Sequence, residues 1–140
     1  MSQVFTAACV QTTSGREPAG NIAAASALIR QAKAAGADLI MTPEMTNLME
    51  PKRPALFEKI VPEAEDATLA ACRALAAGLR VWLLVGSLAV RLSADRAANR
   101  SILLDPAGRI AARYDKMHMF DVEIPDGQSY RESRSYRPGD

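Results

Sequence analysis

Two charged side chains sit where this sequence could do acid–base chemistry. Glu44 comes just after the short apolar stretch 38–41 and Pro43, and in open α/β sheets ligands bind at the carboxyl ends of strands. A carboxylate there could serve as a general base, taking a proton from a nucleophile or a water. Lys116 lies in Tyr114-Asp115-Lys116-Met117-His118-Met119-Phe120-Asp121, where charged and apolar residues are interleaved. That mixture predicts a lysine partly enclosed by protein. An enclosed ammonium beside a carboxylate stabilises a developing oxyanion far better than one in water. Taken singly, each also fits an ordinary solvated residue: Glu44 on a loop, Lys116 between Asp115 and Asp121.

The chain offers little as a nucleophile. Cys9 and Cys72 are far apart and lack the short paired spacing of a metal or redox site. Cys9 falls in a predicted strand and Cys72 on an apolar helix stripe, so both are expected in the core, where a thiol has a raised pKa and is inert. His118 is the only histidine. Histidine is the usual proton shuttle near neutral pH, but two residues from Lys116 it is expected to hydrogen-bond the loop that holds the lysine. One histidine and no cysteine pair give no metal site, and no cofactor is called for. Arg131, Arg134 and Arg137, with Tyr130 and Tyr136, could grip a substrate carboxylate through bidentate guanidinium pairing; a solvated basic loop is the plainer reading.

These residues need a scaffold. Residues 4–11 are rich in Val, Phe, Ala and Thr and read as a strand ending in Thr12-Thr13-Ser14-Gly15. Ile22, Ala25, Leu28, Ile29 and Ala32 recur at helical spacing, with Asn21 as N-cap and Gly36 ending the helix. Residues 38–41 read as a second strand. Leu69, Cys72, Ala76 and Leu79 mark a second helix behind the acidic Glu63, Glu65 and Asp66, with Gly78 helping to end it. Strand 81–90 follows, then a hairpin of 101–104 and 109–114 around Asp105-Pro106-Ala107-Gly108. The order predicts an α/β fold with a largely parallel sheet, helices packed on it and an antiparallel addition. From Asp115 onward the sequence is polar and without period, which reads as functional loop.

Composition closes off other classes. The chain has 140 residues, 49% hydrophobic and 24% charged, as in ordinary globular proteins. At this length folding buries roughly two-thirds of the surface the unfolded chain exposes. Seventeen Lys and Arg against sixteen Asp and Glu leave a net charge of +1, too small for a nucleic-acid or membrane partner held by a broad field. The amino terminus lacks the pattern of a secretory signal, and the apolar run 81–90 is too short to span a bilayer. A reducing cytoplasm is the expected compartment.

Several short motifs acquire meaning from their order. Pro43-Glu44 after the second strand, Tyr114-Asp115-Lys116 after a hairpin, and Tyr130-Arg131-Glu132-Ser133 ahead of Arg137-Pro138-Gly139-Asp140 together resemble the nitrilase-type carbon-nitrogen hydrolases. Ala7-Ala8-Cys9-Val10-Gln11, Gly36-Ala37-Asp38-Leu39-Ile40 and Asp121-Val122-Glu123-Ile124-Pro125 extend the resemblance over the whole chain. The lysine region resembles the branch of omega-amidases and deaminated glutathione amidases. Two positions depart from the pattern: Asp115, where a basic residue is commoner, and Thr42, where a larger apolar residue is frequent.

The resemblance implies an α-β-β-α sandwich with a mixed sheet flanked by helices, of which residues 1–140 would be the amino-terminal part of a single domain. It also implies hydrolysis of a non-peptide C–N bond in a small amide by a Glu-Lys-Cys set. Glu44 would be the base and Lys116 the oxyanion stabiliser. Glu132 matches a second family glutamate that positions groups near the nucleophile. The family cysteine would lie beyond Asp140, so the 140 residues alone are expected to be inactive. An N-carbamoyl amidohydrolase, a nitrilase, or a non-catalytic assembly module are the other readings. A homodimer or larger homo-oligomer is expected of the complete protein.

Overall fold

Alternation along the strands decides which face of the sheet is buried. The computed structural model describes residues 4–125, 127 and 129–140. In chain order its elements are β1 (Ala7–Cys9), α1 (Pro18–Ala34), β2 (Leu39–Met41), α2 (Arg53–Lys59), α3 (Ala67–Leu79), β3 (Trp82–Arg91), β4 (Ala97–Leu104), β5 (Ile110–Asp115), β6 (Asp121–Glu123) and β7 (Ser129–Arg131). Strands β1 to β5 form one sheet in sequential order, and β6 pairs with β7 in a separate hairpin. The β1–β2 and β2–β3 ladders are parallel, whereas β3–β4 and β4–β5 are antiparallel. The sheet is therefore mixed in equal part rather than largely parallel. The long β3–β4 hairpin contributes as much pairing as the crossovers.

Ile40, Leu83, Val85, Leu88, Val90, Ile102 and Leu104 point to one face and pack against Ile29 of α1 and Leu69, Cys72, Leu75 and Ala76 of α3. A register shift in the β3–β4 ladder lies between Val85 and Leu88. This bulge changes the parity of the strand, so that Leu88 and Val90 stay on the helix-covered face and Ala89 turns to the other. On that other face Ala89 and Ala97 pack with Met45, Leu48, Leu56, Ile60 and Tyr136, a second and smaller core. Further along the same face Phe5, Leu39, Trp82 and Leu103 border an open apolar hollow of about 470 Å³. Among the described residues no helix is long and apolar enough to cross a membrane.

Several local expectations are corrected by the structure. Asn21 does not cap α1: the helix begins at Pro18, whose fixed φ suits the first helical position, so Asn21 falls inside it. Its amide donates to the carbonyls of Gly15 and Asn47, both at 2.9 Å, and so ties the helix to two loops. Gly36 ends α1 as expected, with φ of 93°. Gly78 does not end α3, because packing of Leu79 on the core draws the helix one residue further. Arg80 takes the left-handed position instead, at φ of 52°. Cys9 is exposed, not core. Ala8 and Val10 face the helices, so on an edge strand of period two Cys9 must face away from them.

Candidate active site

Glu44 leaves β2 on a loop that polar side chains stitch to the bulge of β3. Thr42 Oγ1 accepts from the Gly86 amide at 3.0 Å and pairs with Thr46 Oγ1 at 2.7 Å, while Thr46 Oγ1 donates to the Pro43 carbonyl at 2.8 Å. The Met45 amide donates to Ser87 Oγ at 2.9 Å and the Thr46 amide to the Ser87 carbonyl at 2.8 Å. These bonds hold Met45 at φ of 57°, a left-handed conformation that costs a residue with a side chain roughly 1–2 kcal/mol. A Cβ on Gly86 would lie 2.0 Å from the Thr42 carbonyl oxygen, so only glycine lets strand and loop approach this closely. The departure at Thr42 thus has a use: a larger apolar residue would lack the hydroxyl that anchors the loop.

Lys116 follows directly on β5, its amide donating to the Asn99 carbonyl at 2.9 Å and its carbonyl accepting from the Gly139 amide at 3.0 Å. Glu132 opens the short 3-10 helix Glu132–Arg134 after β7. Three separate segments so converge on one ammonium. Lys116 Nζ lies 3.0 Å from Glu44 Oε1 and 2.9 Å from Glu132 Oε2. Glu132 Oε2 also accepts from the Phe120 amide at 2.7 Å. The Lys116 side chain is 29% exposed, Glu132 13% and Glu44 55%. The lysine is therefore partly enclosed, as its mixed surroundings predict, and Glu44 is the member open to an incoming molecule.

Electrostatics fix the protonation states. Partial burial pushes the Glu44 carboxyl up, but hydrogen bonds from Lys116 and Asn99 and the Lys116 charge outweigh it, leaving the pKa below the usual value. Burial pulls Lys116 down, and hydrogen bonds and charge from Glu132 and Glu44 more than reverse this, leaving it raised. At neutral pH Glu44 is a carboxylate and Lys116 an ammonium. The ammonium has three donors, and it contacts Glu44 Oε1 at 3.0 Å and the two oxygens of Glu132 at 2.9 and 3.2 Å. The group borders a cavity of about 510 Å³ lined by Met45, Leu48, Phe120, Tyr130 and Tyr136. Among the described residues no set of three His, Cys, Asp or Glu is placed to hold a metal ion.

A carboxylate, an ammonium and a second carboxylate drawn together from three motifs is the arrangement the resemblance implies, and residues 6–140 match the family model described as carbon-nitrogen hydrolase. The chain belongs to the carbon-nitrogen hydrolase family. It is 37% identical over 137 residues to the deaminated glutathione amidase of Yersinia enterocolitica, covering 95% of this chain and 47% of that one. It is 26% identical over 136 residues to the omega-amidase NIT2 of Homo sapiens, covering 97% and 48%. The chain thus spans about half the length of these curated relatives. Among solved structures, the NitFhit protein of C. elegans superposes with a TM-score of 0.82 at 26% identity, covering 94% of this chain and 32% of that one.

The remaining candidates of this carbon-nitrogen hydrolase chain scatter. Cys72 is buried, and burial, followed by the charge of Asp66, pushes its thiol up to about 12. Cys9, though exposed, is not among the residues bordering the cavity. His118 is exposed and makes no hydrogen bond with a described residue; the backbone of Asn99 and Gly139 holds the lysine loop instead. Asp115 leaves the lysine alone and pairs with Arg100 at 2.7 Å. Arg131, Tyr130 and Tyr136 border the cavity, with Arg131 paired to Glu123. Arg134 and Arg137 are exposed and do not border it. Asn99 was not singled out by sequence, yet it touches both carboxylates. Nothing in the strand sequence marks it, since Arg100 and Ser101 beside it are polar as well.

Proposed function

We propose that the complete protein hydrolyses a small non-peptide amide to a carboxylic acid and ammonia or an amine, and that this chain supplies the base, the ammonium and the second glutamate. The observation that carries the reading is the asymmetry of Glu44. Its Oε1 is taken by Lys116 and Asn99, while Oε2 accepts from no described residue, and the residue borders an open cavity.

A base needs such a free oxygen. In the proposed sequence Glu44 Oε2 takes the proton of a cysteine thiol from beyond Asp140, and the thiolate attacks the amide carbonyl carbon. The carbonyl oxygen becomes an oxyanion stabilised by the Lys116 ammonium. Glu44 returns its proton to the departing nitrogen as the C–N bond breaks, leaving a thioester. Glu44 then deprotonates a water that attacks the thioester; the acid leaves and the thiol regains a proton. Glu132 takes two of its four hydrogen bonds from Lys116, one from Phe120 and a long one from Asn99, so its part is to hold the lysine.

The names of the amidase relatives support the substrate class, and the 140 residues alone are not expected to turn over. Glu44→Gln in the full-length protein tests the reading. Ammonia release from small amides is expected to be lost in a variant with unchanged circular dichroism, and retained turnover would overturn the role of Glu44.

A further inference from the structure

We propose that Asn99 is a positioning residue for this reaction: its carboxamide selects Oε2 of Glu44 as the working base and keeps both carboxylates on one lysine. The proposal rests on the reading of Glu44 as general base. Asn99 is 2% exposed in the middle of β4. Its Nδ2 donates to Glu44 Oε1 at 2.6 Å and to Glu132 Oε1 at 3.4 Å, and its backbone carbonyl accepts from the Lys116 backbone amide at 2.9 Å. One strand residue therefore reaches all three members of the site.

The chemistry of the position is restrictive. Both neighbours are carboxylates that only accept, so the amide nitrogen and not the oxygen must face them. The two N–H groups match the two carboxylates. An aspartate there would put a third negative charge against them, and a lysine or arginine would compete with Lys116 for both. A neutral double donor is the side chain that joins them without changing the charge of the site. With Lys116 and Asn99 filling Oε1, proton transfer falls to Oε2, and the carboxylate cannot rotate without breaking two bonds to a charged acceptor.

Two consequences separate positioning from mere packing. Asn99 contributes one of the hydrogen bonds that hold the Glu44 carboxyl low against burial, so its loss moves the acid limb of kcat/KM to higher pH. Its contact is with the base and not with the cavity-lining substrate wall, so kcat falls while KM stays. The other charged or titratable groups that face Glu44 or its cavity are Lys116, Glu132, Tyr130, Tyr136, Arg53, Glu50 and Arg131, all present in the variants.

In the full-length protein Asn99→Ala is expected to raise the acid limb by about one pH unit, the size of a hydrogen bond to a charged group. It is expected to lower kcat about tenfold or more with KM held. The near-isosteric Asn99→Asp should move the limb further by like charge. A carbon-13 NMR titration of the Glu44 carboxyl in wild type and both variants reads the same effect without turnover. It distinguishes failure here from failure of the base assignment, which Glu44→Gln alone tests. An unmoved Glu44 titration in whichever variant folds, or kcat and KM changing together, would overturn the proposal. If neither variant folds, a wild-type titration showing no depression of the Glu44 carboxyl would do so.

Discussion

Two ion clusters lie back to back on the same strands and differ in one respect. Asn99 and Arg100 are consecutive on β4, and Asp115 and Lys116 are consecutive at the end of β5. Strand alternation sends Asn99 and Lys116 to one face and Arg100 and Asp115 to the other. On the helix-covered face Arg100 forks onto Asp115 through Nε and Nη2 at 2.7 and 2.8 Å, and its Nη1 reaches Glu63 at 2.9 Å. Arg113 closes on Glu63 from the other side at 2.7 Å. Both oxygens of Glu63 and of Asp115 are engaged. On the opposite face Lys116 lies between two carboxylates, and Oε2 of Glu44 accepts from no described residue. Guanidinium forks saturate a carboxylate and lock it, whereas a point ammonium between two carboxylates leaves capacity for a third party. The saturated cluster fastens the sheet to the start of α3, and the unsaturated one is where a reaction fits.

That contrast can be broken from either side. The largest effect is expected from Lys116→Ala in the full-length protein: loss of the proposed oxyanion donor should lower kcat by about 10²- to 10³-fold, measured by ammonia release, with little change in thermal midpoint. Arg100→Ala should do the reverse, costing about 1.5–3 kcal/mol of stability through hydrogen bonds to charged groups, read by urea unfolding, with kcat of the folded molecule unchanged. Equal loss of activity in the two variants would erase the distinction.

The smallest expected effect is in pH. Hydrogen bonds from Arg113, helped by Arg100 and the two guanidinium charges, outweigh burial and hold the Glu63 carboxyl below its ordinary value of 4.5. A depressed carboxyl contributes stability that is complete above its unfolded pKa and is lost as pH falls through the folded one. The stability gap between wild type and Glu63→Gln is therefore expected to be full at neutral pH and to shrink below about 4.5. Urea midpoints measured down the pH scale would show it, and a gap that widens on acidification would contradict it.

Much of the scaffold was legible in the sequence. The β-α-β order, both long helices and the hairpin follow from periodicity and turn chemistry, because those elements bury one continuous face. What was missed lies where the local pattern carries no such signal. The seven-residue α2 holds one apolar pair, Leu56 and Phe57, and begins with a proline in its first turn, too little for a helical period to emerge. The run around Cys9 looks buried because Ala, Val and Cys resemble one another in hydropathy, while exposure is set by an edge position that local sequence does not encode. Glu44, Lys116 and Glu132 were indicated by motif order, but Asn99 belongs to no motif and its importance is visible only when three segments meet. Asp115 looked like an electrostatic intruder beside Lys116; a single step of strand alternation removes it to the other face.

The stitching of the Glu44 loop to β3 bears on how this molecule would come apart. A surface loop ordinarily opens by local fluctuation at small free energy, well below that of global unfolding. Here the backbone on either side of the bulge, the Thr42 and Thr46 hydroxyls and the close approach at Gly86 join the loop to a strand at the centre of the sheet. In terms of cooperative units, Glu44 belongs to the sheet and not to its fringe. Releasing the carboxylate means opening the bulge, so the orientation of Glu44 persists as long as the sheet itself does.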